Sequence, residues 1–137
     1  MPYDVKWLIE DYVILERFWG VFTADEVAAA DACVITLIEH SPQATVHAII
    51  DDTQIIQMPP ITALGKIKSA QHPKLGWSII FGNKRQGLHF VTLLANNILR
   101  FQLRFAPTCD SALNKLYELD PNIPQSQYSC DEPNALI

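Results

Sequence analysis

The sequence predicts a single α/β domain built on a mixed, mostly parallel sheet with an N-terminal antiparallel hairpin and covering helices. Three observations carry that expectation. Two adjacent segments at the N-terminus alternate apolar and polar residues with a tight turn between them. Farther on, short apolar runs, "VHAIID" and "WSIIF", alternate with helix-like segments. Helical crossovers between buried strands call for parallel pairing with right-handed connections. The chain of 137 residues, 49% hydrophobic and 18% charged, is also the size and composition of one globular domain.

Val5, Trp7 and Ile9 share one side of a first strand by period-two spacing, and Glu10-Asp11 turn the chain into a second strand, "YVILERFWG". Thr23 and Glu26 form a capping box that opens a helix through about His40. Its Val27, Val34, Ile35 and Ile38 are spaced to face a core, and Pro42 lies beyond its end. "VHAIIDD" reads as a short buried strand ending on two carboxylates, and "TQIIQMPP" as the loop after it. A weak helix, "ITALGKIKSAQ", is interrupted by Gly65. "WSIIFG" is the next buried strand, and a very apolar helix runs from about Gln86 to Leu99. "QLRFA" is a last strand, with Thr108 or Ser111 capping a final helix through about Leu119. The domain is expected to cover residues 1–120. Residues 121–137, rich in proline and without periodicity, are expected to be an extended or partly disordered tail.

Charge is unevenly spread. Residues 1–52 carry ten acids and two bases, whereas residues 53–109 carry seven bases and no acid. That asymmetry is met either by the two parts facing each other or by an anion-binding side. The net charge of −5 and the lack of a basic stripe give no reason to expect nucleic acid. No apolar run is long enough to span a membrane. The three widely spaced cysteines, Cys33, Cys109 and Cys130, make no CxxC pair, so thiols in a cytoplasmic setting are expected, with neither a disulfide framework nor a zinc site. No catalytic motif is present: Walker, GxGxxG, GxSxG and HExxH patterns are all missing, and no cofactor or metal is expected.

Four places could carry chemistry. Asp51 and Asp52, with Thr53, stand at the carboxyl end of the strand "VHAIIDD", where open α/β sheets place ligands. Successive strand residues point to opposite faces, so bracing the following loop is expected of one of them rather than a shared metal or proton. "GNKRQG", from Gly82 to Gly87, reads as a connector. The alternative is an anion site in which Asn83, Lys84 and Arg85 meet a phosphate-bearing small molecule or an anionic lipid. In the helix after it, Phe90 and Leu94, continued by Phe101, widen the apolar arc beyond what one buried face needs, which points to a homodimer interface. The rival is lipid contact at a membrane periphery. Cys109 is near a helix N-terminus and is expected to be an ordinary part-buried thiol.

The element order, with "VHAIIDD" before one helix and "HPKLGWSIIFGN" before an apolar one, resembles the STAS-like fold of sulfate-transporter and anti-sigma-factor-antagonist domains. It is also similar to small bacterial proteins grouped with that fold and with CRAL-TRIO lipid-binding domains. The resemblance covers roughly residues 3 to 120. It implies a non-enzymatic regulatory module that works by protein contact. In antagonist domains an Asp at the strand end precedes an Asp-Ser-Ser-Gly-like helix start whose serine is phosphorylated. Asp51 matches that Asp, but the phosphoacceptor positions fall on Pro59, Pro60, Ile61 and Thr62, so the motif is missing. Thr53 and Thr62 are the hydroxyls nearest to it.

Overall fold

The computed structural model describes residues 3–21, 23–57, 67–81 and 102–125. Strands β1 (Tyr3–Ile9), β2 (Val13–Val21), β3 (Val46–Gln57), β4 (Leu75–Phe81) and β5 (Leu103–Ala106) form one sheet in chain order. The β1–β2 hairpin is antiparallel, and β2–β3, β3–β4 and β4–β5 are parallel. The expected mixed sheet is therefore observed. Asp11 takes the positive φ of 71° that the hairpin turn requires, a conformation that Asp tolerates better than most residues.

Helices α1 (Ala24–His40) and α2 (Cys109–Leu119) cover opposite faces of the sheet. Alternation in the central strand dictates this division. Ile49, with Leu15 and Ile79, packs against Leu113 and Leu116 of α2. Ile50, with Phe18 and Ile80, packs against Val27 and Ala30 of α1. Beyond α2 the first core reaches Ile123, which is 4% exposed.

The helix ends are satisfied locally. Thr23 and Glu26 make the expected capping box at α1, and Thr108 Oγ1 accepts from the Ser111 amide at α2. At the far end of α1, Lys74 Nζ donates to the carbonyls of Ile38 and Ser41, at 2.9 and 2.6 Å. Asp31 of α1 accepts from the amides of Lys68 and Ser69, tying down a 3-10 turn (Ser69–Gln71) before β4.

Three sequence expectations change. β3 does not stop at Asp52 but runs to Gln57, because "TQIIQ" keeps pairing with β2. Of the weak helix, residues 61–66 lie outside the described residues, and Ser69–Gln71 form a 3-10 turn where helix was expected. Cys109 is disulfide-bonded and wholly buried, not a part-buried thiol, whereas Cys33 is free and exposed. The expected apolar helix from Gln86 to Leu99 also lies outside the described residues.

Gly76 shows how tightly β4 meets β3. A Cβ there would lie 2.6 Å from the His47 ring and from Thr45 Cγ2. Gly76→Ala is therefore expected to cost about 1–3 kcal/mol through overpacking. Urea denaturation measures it, and an unchanged midpoint would contradict the close approach.

Candidate functional site

The carboxyl end of the parallel strands is the first place to look, and β2 and β3 bring charged residues there. Arg17 stands opposite Asp51 in the register. Their side chains pair at 3.7 Å between Nε and Oδ2, both largely shielded from solvent. The other Asp51 oxygen, Oδ1, accepts from the Thr53 amide at 3.0 Å and from the Thr53 hydroxyl at 2.6 Å. This bracing occurs at an irregularity: two residue steps in β2, from Arg17 to Trp19, oppose three in β3, from Asp51 to Gln54. The Asp51 carboxylate holds the extra residue of that bulge, a local side-chain-to-backbone bond of the kind Asp makes in turns. Asp51 and Thr53 are thus together, with Arg17 as a third member.

Asp52 is not part of that group. Alternation turns it to the α1 face, where it is 2% exposed and neither oxygen has a hydrogen-bond partner among the described residues. Burial pushes its carboxyl up to about 6, with its own backbone amide opposing the shift and the Asp51 charge adding to it. Glu16, on the same face of β2, is pushed up to about 8, first by burial and then by the charge of Asp31. An uncharged carboxyl is the form that such an apolar setting accepts. Among the described residues no three His, Cys, Asp or Glu side chains converge as metal ligands. The other sequence-derived candidates, Thr62, Asn83, Lys84, Arg85, Phe90, Leu94 and Phe101, lie outside the described residues.

At the opposite end of β3, a part-buried dyad, His47 with Asp120, lies outside the sequence-derived candidates. The Trp77 amide donates to His47 Nδ1 at 2.9 Å, which fixes the ring proton on Nε2. Nε2 donates to Asp120 Oδ2 at 2.8 Å. The His47 ring therefore joins β3, β4 and the residue that ends α2. Asp120 is held below the usual carboxylate range, chiefly by this hydrogen bond. With Nδ1 occupied and the ring walled in by Gly76, the dyad is suited to fastening α2 rather than to moving protons through the site. Nothing in the spacing of the histidines signals it, because the partners are 73 residues apart.

One stretch of the β2–β3 pair carries exposed apolar side chains. Past the described ends of β1 and β4, β2 and β3 remain paired with each other, from Trp19 and Gln54 to Val21 and Gln57. Trp19, Val21 and Ile56 stand on this stretch 41%, 53% and 79% exposed. Gly20, with φ of 70°, bends β2 there.

No family model matches the chain, and no curated protein sequence does. Solved structures do. A protein of the DUF3478 family from Shewanella loihica PV-4, described as having a SpoIIAA-like fold, superposes with a TM-score of 0.60 at 14% identity, covering 83% of this chain and 91% of that one. The anti-sigma factor antagonist SpoIIAA in its unphosphorylated form gives 0.57 at 11% identity, covering 83% and 96%. The phosphorylated form of SpoIIAA, a Bacillus cell fate determinant, gives 0.53 at 10%, covering 83% and 98%. The chain therefore has the STAS-like fold. Among the described residues no helix is long and apolar enough to cross a membrane.

Two predictions come from the titrating groups. Glu16 binds a proton more tightly folded than unfolded, so wild-type stability should fall as pH rises from about 4.5 to about 8 and level off above that. Glu16→Gln removes this loss. The variant should gain on the wild type across that window, by a few kcal/mol at its upper end, as read by urea denaturation at a series of pH values. Asp120 has the opposite sign, since its lowered carboxyl stabilises the fold at neutral pH and ceases to do so as acid protonates it. Asp120→Asn should cost about 1–3 kcal/mol near pH 7, and the deficit should shrink in the same assay as pH falls below about 4.

Proposed function

We propose that this chain is a non-enzymatic protein-interaction module of the STAS-like kind, and that it docks another protein on the paired carboxyl ends of β2 and β3. The single observation that carries this reading is the exposed apolar set Trp19, Val21 and Ile56 on the paired carboxyl ends of β2 and β3. Large apolar side chains grouped on an exposed surface usually mark a contact surface. Beneath them the Arg17–Asp51 pair and the Thr53 brace stiffen the base of this stretch, which lowers the ordering cost of binding. The likeness to anti-sigma factor antagonist structures supports the same class of role. Of the two neighbouring acids, Asp51 is engaged with Arg17 and Thr53, and Asp52 faces away from it.

The test is affinity purification of the tagged protein from its native cells, followed by reconstitution with the purified partner. Ile56→Asp should weaken binding at least tenfold without changing the melting temperature, since the side chain is largely in water. Equal binding by that variant would overturn the assignment of the surface. A stoichiometric small molecule in native mass spectra, with no protein partner recovered, would overturn the interaction reading itself.

A further inference from the structure

One place on the α1 face has two claimants. Arg17 stands opposite Asp51 and Trp19 opposite Gln54, so Phe18 alone opposes both Asp52 and Thr53. Such a bulge is rare between parallel strands, and it leaves one residue more than the alternation can place. Phe18 is buried on the α1 face with Ile50 and Ile55. In this structure Asp52 fills the β3 position beside it, 2% exposed, with no hydrogen-bond partner on either oxygen among the described residues. Thr53 is left outside and exposed, its amide and hydroxyl both donating to Asp51 Oδ1.

The surroundings favour the other choice once Asp52 is charged. A carboxylate buried without a partner is among the least tolerated groups, whereas threonine brings a methyl group and a neutral hydroxyl. Around that place the described residues bring mostly acids. Glu16 lies two residues before Phe18 on β2, and Asp31 of α1 is taken up by the Lys68 and Ser69 amides. Asp25 and Glu26 occupy the first turn of α1, and Lys68 is exposed. β4 carries no charged residue, and Arg17 and Asp51 pair on the α2 face.

Exchanging the two needs no slip of the strands. Asp51 and Gln54 keep their partners in β2, and only the backbone of Asp52 and Thr53 turns over. The two bonds to Asp51 Oδ1 are given up, and the Asp52 carboxylate reaches water on the face that carries Arg17.

We infer that β3 carries a proton-controlled switch at this bulge: protonated Asp52 sits under α1, and on ionisation it changes places with Thr53. The exchange returns the Asp52 carboxyl from about 6 toward its ordinary 3.8. The ratio of the two arrangements therefore changes roughly a hundredfold across that pH interval. A bulge sets the local twist, so the switch re-aims the strand ends beyond it. The inference holds whether or not those ends dock a partner.

Nuclear Overhauser contacts of the Thr53 methyl group, followed from about pH 4 to about pH 8, test it. At the acid end the methyl should show no contact to Val27. As pH rises and the Asp52 carboxyl titrates, contacts to Val27 and the Phe18 ring should appear. Asp52→Asn cannot ionise, so its Thr53 methyl should stay outside at every pH. Thr53→Val favours the inside place and should exchange at a pH lower by about 0.5 or more. That variant alters an exposed position and serves if Asp52→Asn fails to fold. Methyl contacts that do not change with pH overturn the inference. So does a change that persists in Asp52→Asn, or a Thr53→Val midpoint equal to the wild type's.

Discussion

Everything in this molecule depends on the two-sided burial of β3. Its edges are taken up by hydrogen bonds to β2 and β4, and its apolar side chains point to both faces of the sheet, so each face needs a helix. Residues Val46 to Ile50 are all buried, and alternation sends Ile49 to α2 and Ile50 to α1. The same alternation separates Asp51 from Asp52. One carboxylate reaches the α2 side and finds Arg17 and Thr53, while the other is carried under α1 and finds no partner among the described residues. Two adjacent acids that look like a pair in the sequence have opposite fates because the backbone between them is extended.

The charged groups fall into two classes with different physical consequences. Arg17–Asp51 and His47–Asp120 are partnered and knit elements together: the first joins β2 to β3, the second joins β3 to the end of α2. Glu16 and Asp52 are raised carboxyls on the α1 face, and they hold their protons in a pH range where exposed acids have lost them. Ionisation thus opposes folding at Glu16 and Asp52 and helps it at Asp120.

Much of this was legible in the sequence. The hairpin, the capping box at Thr23 and Glu26, the buried faces of α1 and the parallel order of β3, β4 and β5 follow from periodicity and turn chemistry, which are local. What escaped was either long-range or hidden by polarity. The last residues of β3 read as a loop because "TQIIQ" is half polar and runs into prolines, yet β2 pairs with them. Arg17 could be matched with Asp51 only once the register was known. His47 and Asp120 meet through the fold alone. The odd cysteine count suggested thiols, and Cys109 is nonetheless bonded.

Methyl nuclear Overhauser contacts test the two-sided sheet most directly. Ile49 and Ile79 should show contacts to Leu113 and Leu116, and Ile50 and Ile80 to Val27 and Ala30, with no crossing between the sets. Contacts from Ile49 and Ile50 to one and the same helix would contradict the alternation from which the rest is derived.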